Sequence, residues 1–404
     1  MINEAGILNL LQKVISKTLE DRVPNYTPLL TLLKRNKGVV MQNSDFYITE
    51  TTEGFSGIGQ YAVGSTLEGG DTQDVQFKAS AKNLFATVKV DDRTLQILKH
   101  TPAGAIADFT SSKIAQMEKG ISNEFNRTFF GDGTGKVARA DGAGTTTATL
   151  VVQGLDVDGS DLSGARYIQV GDYIKVGSSA SVKVTAKAGL TLTLAATRSW
   201  SDNDTIIKTS ADGGATSEMA GLGNLVAATG TVQNVDLSQS RSIQAVVDSA
   251  TYSWATHGDA ALNTAWIQTL EYREGRETAI FMNRTNFAGY GKTLTALKKT
   301  ANTSEKVFGG VKYEDINKFV SLEFQGSTVF YDPDCPTKVV FMIEPQAFTI
   351  GDMGGGVKFA TAQDTTVWNR ISGTTPTYEA VMRFYGNLIC KNFAANAKLT
   401  GYGA

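Results

Sequence analysis

Thr101-Pro102-Ala103 opens, and Phe129-Phe130-Gly131-Asp132-Gly133-Thr134-Gly135-Lys136 closes, the stretch whose reading decides the fold. Thr101 suits an N-cap, and Pro102 suits the first helical position, where a missing N–H is harmless. Between them Ile106, Phe109, Ile114, Met117, Ile121, Phe125 and Phe129 recur at helical spacing. At 1.5 Å per residue this predicts a helix roughly 40 Å long, near the span of a whole domain. Such a rod suits a mechanical spine better than a catalytic pocket. The glycines behind Phe130 end it and let the chain reverse.

Ahead of the rod, Ile7, Leu8, Leu11, Val14, Ile15 and Leu19 form an amphipathic stripe. Pro24 and Pro28 break it, and residues 29–33 make a second apolar turn closed by Gly38. Residues 45–90 read as extended. Phe46 and Ile48 alternate with polar neighbours, glycines punctuate the middle, and Val75, Phe77, Ala79 and Ala81 lead to Leu84, Ala86, Val88 and Val90. This stretch shows no compact core of its own. An isolated hairpin is marginal at best, so the arm is expected to pack on another chain. Folding back on its own domain is the alternative.

Behind the rod, residues 141–214 turn rich in Thr, Gly, Ala and Val. Strands are predicted at 147–153, 173–176, 182–186, 190–194 and 205–208, a small β-sandwich or barrel inserted in a larger domain. Ile243, Val247, Ala250 and Trp254 predict a helix ended by Gly258, and Leu262, Trp266, Leu270 and Arg273 a second. Strands follow at 279–282, 328–331, 339–343 and 380–385, with a strand-like closing segment at 387–393.

The 404 residues predict two or three domains. Hydrophobic residues at 41% and charged residues at 19% allow true cores and argue against global disorder. No apolar run approaches the ~18 residues of a membrane span. Met1-Ile2-Asn3-Glu4-Ala5 lacks the basic and apolar regions of a secretory signal. Cys335 and Cys390 alone fit a reducing compartment. A net charge of −2 gives no broad basic field for gripping nucleic acid. Lys34-Arg35-Asn36-Lys37 and Lys298-Lys299 read as solvated helix ends.

Candidate chemistry falls away residue by residue. Gly131 to Lys136 superficially resembles a phosphate-binding loop, but Phe130 and Val137 stand where glycine and Ser or Thr are needed, and the segment follows a helix. Asp156-Val157-Asp158-Gly159-Ser160-Asp161 misplaces its glycine for a calcium loop, and Tyr167 holds the twelfth position. His100 and His257 have no partner at metal-ligand spacing, and His257 is expected at a helix C-terminus. Cys335 lies between two prolines and beside Asp332 and Asp334, unsuited to a nucleophile. No catalytic, cofactor-binding or metal-binding residue is assigned, and no enzyme is expected.

A helical arm, an extended hairpin over about residues 54–81, the spine with its Phe129-Phe130-Gly131-Asp132-Gly133-Thr134-Gly135-Lys136 exit, and a mixed region carrying Phe281-Met282-Asn283, Tyr331-Asp332-Pro333 and Phe384-Tyr385-Gly386-Asn387-Leu388 follow one another in a known order. Together they resemble a tailed-bacteriophage major capsid protein. The resemblance implies an α+β chain of the Hong Kong 97-type capsid fold. It would have an N-terminal arm (1–50), an extended loop (51–83), a peripheral domain with the spine helix (84–140), an inserted small β domain (141–214) and an axial domain with returning peripheral strands (215–404). The insert departs from the minimal family pattern.

The function so implied is structural: self-assembly into pentamers and hexamers of a closed icosahedral head that encloses double-stranded DNA without sequence-specific binding. The location would be the virion capsid, assembled in the host bacterial cytoplasm. The chain begins without a long charged helical leader, so a separate scaffolding protein is the expected partner, together with a portal and no membrane. Lys78, Lys82 and Lys89 lie near the loop, and covalent cross-linking is not read from them. An encapsulin-type compartment shell is the nearest alternative, and a tail tube or sheath protein a further one.

Overall fold

The computed structural model describes residues 27–33, 40–42, 44–53, 56, 58, 60, 69–91, 103–154, 163–210, 213, 218–273, 278–296, 321–353, 357–360, 368–370 and 377–403. The amphipathic stripe of residues 7–19, Gly38, the Thr101-Pro102 cap, His100, residues 156–161 and both basic clusters lie outside them. The architecture is mixed, with helices and sheets interleaved along the chain.

The spine helix runs Ala103–Phe130 over 28 residues, about 42 Å at 1.5 Å per residue. Met117, Ile121, Phe125 and Phe129 of its apolar stripe are buried; the side chains of Ile106, Phe109 and Ile114 lie outside the described set. The ring of Phe125 meets that of Phe384 edge-on at 4.8 Å. One turn on, Phe130 packs against both Phe281 and Phe341 with centroids at 5.9 Å. The helix thereby spans two sheets, and its residues share one continuous core with both.

The first of those sheets is built on a single long strand, Thr377–Cys390, where the sequence had suggested two segments. Lys82–Asp91 pairs along one edge. Phe348–Asp352, Lys358–Phe359 and Trp368–Arg370 pair in turn along the other. Ala380, Met382, Phe384 and Leu388 face the spine.

From the Leu388 end of that sheet projects the hairpin, Asp45–Glu53 against Gln73–Ser80, with Val40–Gln42 on its edge. Phe46 opposes Ala79 and Ile48 opposes Phe77, so all four lie on one face. Phe46, Ile48 and Ala79 are buried with Ile389, and Phe77 joins the spine core. The expectation of a stretch without a core is therefore corrected at its base, which folds onto its own chain.

The barrel is closed, with strand order Thr205–Thr209, Lys136–Ala140, Gly144–Gln153, Thr191–Trp200, Val182–Ala188 and Tyr173–Val176. Alternating residues such as Leu150, Val152, Val184 and Leu192 fill it. The sixth strand, Lys136–Ala140, begins at the spine's glycine exit and was not read as part of the insert. Only with it does the barrel close.

The second sheet has the order Val246–Asp248, Ala397–Thr400, Val339–Ile343, Ala279–Met282, Ser327–Tyr331 and Ser321–Phe324. Phe281, Phe330 and Phe341 face the spine core, while Ile280, Met282 and Val340 face helices Ala260–Leu270 and Arg284–Ala296. Burial on both faces explains the unbroken apolar runs.

The helix expected across Ile243 to Trp254 does not form. A 3-10 turn at Arg241–Ile243 gives way to Val246–Asp248, paired parallel with Ala397 to Leu399. The Asp248 carboxylate accepts the Ala250 N–H at 2.9 Å, turning the chain away. Trp254 instead sits 4.2 Å from Tyr402, ring to ring. In the next helix the buried face is Ala261, Leu262, Ala265 and Thr269, and Leu270 is exposed.

Candidate assembly site

Two features stand out: a buried polar junction that fixes the spine, barrel and second sheet together, and the exposed outer half of the hairpin. The junction grows from Asn126 and Arg127, side by side on the last turns of the spine. Asn126 donates through Nδ2 to Asp332 Oδ1 at 2.9 Å and to Asp334 Oδ2 at 2.7 Å. The second oxygen of Asp334 accepts from the Tyr167 hydroxyl at 2.8 Å and pairs with Arg166 at 3.1 Å. Arg166 closes the short helix Ser163–Arg166 at the barrel wall. One carboxylate thus ties three parts of the chain.

Asp332 is wholly buried, its backbone held by the Met282 carbonyl at 2.9 Å. Burial, and then the charge of Asp334, pushes its carboxyl well above the usual range. Oδ2 of Asp332 and Oδ1 of Asn126 have no hydrogen-bond partner among the described residues. Burial and Asp334 likewise push the Tyr167 hydroxyl up.

Arg127 forms the second half. It donates to Glu124 at 2.6 Å and to Glu218. Lys208 of the barrel reaches Glu124 at 3.7 Å and Asp172 at 3.5 Å. Burial would raise the Glu124 carboxyl, but Arg127 and Lys208 outweigh it and hold the group below its ordinary value. At Glu218 burial wins and the carboxyl is raised.

The spine's exit is a stop, built from its own glycines. Gly133 and Gly135 adopt φ of 77° and 80°, the left-handed region open to glycine. Asp132 Oδ1 accepts the Thr134 N–H at 3.0 Å, and Lys136 reaches Asp132 at 3.3 Å. Gly223 donates its N–H to the Gly131 carbonyl at 3.1 Å. A Cβ on the neighbouring Gly221 would lie 2.2 Å from the Thr128 carbonyl oxygen. These partners occupy the loop as a helix end.

Both cysteines are buried thiols outside any disulfide, and burial pushes that of Cys390 up. His257 lies in the turn before Ala260–Leu270, not at a helix C-terminus, because the helix expected ahead of it is absent; its Nδ1 accepts the Ser253 N–H at 3.2 Å. Asn126, Arg127 and Glu218 were not singled out from sequence. Asp332 and Asp334 were noted as neighbours of Cys335, and Asp332 also within Tyr331-Asp332-Pro333, with no role assigned to either. The one available signal was a polar pair, Asn126-Arg127, between Phe125 and Phe129 in the sequence.

Beyond its base the hairpin is bare. Ser56 and Asp71 hold its strands together, with the Ser56 N–H donating to the Asp71 carbonyl at 2.9 Å. Glu53, Asp71 and Asp74 are exposed, and Ile58 is 82% exposed.

No family model matches the chain, and no curated protein matches it. Solved structures do. The structure titled "Cyanophage A-1(L) capsid asymmetric unit" is 11% identical, covers 96% of this chain and 98% of its own, and superposes with a TM-score of 0.53. The capsid of a native GTA particle is 12% identical over 95% and 92% of the two chains, at 0.44. The holo-SrpI encapsulin of Synechococcus elongatus PCC 7942 is 10% identical over 97% of each, at 0.43. The likeness to the cyanophage subunit extends over nearly the whole chain, and the chain therefore has a phage capsid fold, that of the tailed-phage major capsid proteins its sequence resembles.

Proposed function

We propose that the chain is the structural subunit of a tailed-phage head, of the Hong Kong 97-type, with no catalytic turnover. Many copies close into an icosahedral shell of pentamers and hexamers around double-stranded DNA. The observation that carries this reading is the full-length likeness to a capsid subunit, joined to an arm whose outer half, with Ile58 exposed, has nothing of its own chain against it among the described residues. In this reading residues 1–50 are the arm, 51–83 the extended loop, 84–140 the peripheral domain, 141–214 the inserted β domain and 215–404 the axial domain. A separate scaffolding protein and a portal are its partners, and the location is the virion.

Sedimentation of the purified protein, with its scaffolding partner supplied, tests it. The expected result is megadalton particles that protect DNA from nuclease when isolated from infected cells. Particles filled with protein cargo would instead identify a compartment shell. A variant lacking residues 59–71 is expected to remain a soluble subunit and to build no stable shell; normal particles from it would contradict the role given to the loop.

A further inference from the structure

Lys82–Asp91 runs antiparallel to the long strand Thr377–Cys390, and its first residue, Lys82, opposes Gly386. The hairpin strand Gln73–Ser80 precedes it, separated by Ala81 alone. Each step back along one antiparallel strand is a step forward along its partner. A ladder carried on into the hairpin would therefore set Lys78 opposite Cys390. Among the described residues no such pair forms, and the ladder stops at Lys82. Ala79 and Ile389 still share a small apolar cluster with Phe46 and Ile48. Asn387 bridges the start of the gap, its Nδ2 donating to the Ser80 carbonyl at 2.9 Å.

Gln233 fills the rest. Its carbonyl accepts the Lys78 N–H at 2.8 Å. Its side-chain amide, with the nitrogen towards the Cys390 carbonyl, donates to that oxygen at 2.8 Å and accepts the Cys390 N–H at 3.0 Å. One residue thus serves the backbone of both would-be partners, at a depth where an unpaired backbone group is costly. It stands on a tight turn between Thr231–Val232 and Val235–Asp236. Val232 and Val235 are buried in the core shared with the spine, which anchors that turn. Gln233 and Asn234 have φ of 50° and 64°. Two-residue turns with both φ positive favour Asn-Gly or Gly-Gly, and a glutamine held in the left-handed region marks local strain that its surroundings keep in place. The bonds to Lys78 and Cys390 are those surroundings.

We propose that Gln233 is the positioning residue of the hairpin, a wedge that holds Lys78 and Cys390 apart and so sets the angle at which the arm leaves the sheet. Without its amide the Cys390 N–H and carbonyl lose their partner, and the register makes the backbone of Lys78 the replacement. The ladder then extends, and the arm swings into line with the sheet. From Lys78 to Gln73 the strand runs roughly 17 Å, so a small rotation at its root moves the outer half far. The consequence for assembly rests on the shell-subunit reading: subunits whose arms stand at two angles build shells poorly.

Nitroxide labels at the exposed positions Glu53→Cys on the arm and Thr87→Cys on the sheet report that angle as a distance, read by pulsed electron paramagnetic resonance of the soluble subunit. Both native cysteines are buried. Gln233→Gly removes the amide and relieves the backbone, whereas Asn234→Gly relieves the same turn and keeps the amide. The parent and Asn234→Gly should give one distance. Gln233→Gly should add a second, rising to about a tenth of the population or more. Gln233→Glu, which turns an acceptor on the Cys390 carbonyl at unchanged side-chain length, should add the same one. Circular dichroism checks that each variant is folded. A single parent-like distance in the folded Gln233 variants would overturn the proposal. The second distance in Asn234→Gly would overturn it too, by making turn stiffness and not the amide the cause. Shell yield should fall in the Gln233 variants alone, and parent-like yield from subunits whose arm has swung would overturn the part in assembly. A parent that forms no shell defeats the shell-subunit reading, and the distances in the soluble subunit still decide the wedge.

Discussion

Arg127 lies on the last turns of the spine, away from its apolar stripe, and its buried guanidinium is held between Glu124 and Glu218. Removing one partner of a buried ion pair strands the others, at a cost of about 3–5 kcal/mol. Arg127→Ala should lower the unfolding free energy by that order, measured by urea denaturation of the soluble subunit. Asp332 makes the pH prediction. Burial and Asp334 raise its carboxyl well above the ordinary range, so the folded chain keeps a proton that the unfolded chain releases from about pH 4. Its contribution to stability is therefore whole below about pH 4 and is lost as pH rises toward the folded value. Asp332→Asn removes that titration. Above about pH 4 the parent should lose stability with rising pH more steeply than the variant; equal slopes would contradict the assignment. None of this was legible in the sequence, because Asn126 meets Asp332 and Asp334 across separations of 206 and 208 residues. Local patterning carries no trace of such a pairing.

At the scale of elements, glycines separate a cap from a defect. Gly221 has an ordinary φ of −121°, and its difficulty is purely steric: an added Cβ would lie 2.2 Å from the Thr128 carbonyl oxygen and 2.5 Å from that of Gly131. Gly221→Ala should destabilise the subunit by about 1–3 kcal/mol. Gly120, mid-spine, meets nothing within 4 Å, and Gly120→Ala should stabilise it by about 0.5–1 kcal/mol. Thermal unfolding of the two variants, moving in opposite directions, checks the pair. The spine itself was legible because its stripe is long and its buried face unbroken from Met117 to Phe129. The barrel strands were legible for the same reason at period two. The region from Ile243 to Trp254 was not: its apolar spacing fits a helix, and only the parallel pairing with Ala397 to Leu399 and the packing of Trp254 on Tyr402 decide against it. Those partners come from the far end of the chain. Sequence periodicity cannot weigh them.

Over the whole molecule, the barrel is joined to the rest by more than its two covalent links. Arg166 and Tyr167 complete Asp334, and Lys208 completes Glu124. Replacing residues 137–216 by a Gly-Ser linker should therefore leave buried carboxylates without partners and yield little soluble subunit. Adding Asp334→Asn to the same deletion should recover part of that yield, measured as soluble monomer by size-exclusion chromatography. Full recovery without it would show that the barrel is a mere appendage. The spine, braced at one end by this junction and packed from Met117 to Phe130 on two sheets, gives a frame from which the hairpin reaches outward. A frame of that kind with an unsupported arm is suited to association with copies of itself. The measurement that tests this most directly is electron cryomicroscopy of the purified protein assembled with its scaffolding partner. The account predicts closed icosahedral shells in which subunits stand in rings of five and six, and monomers, small closed oligomers or open tubes alone would contradict it.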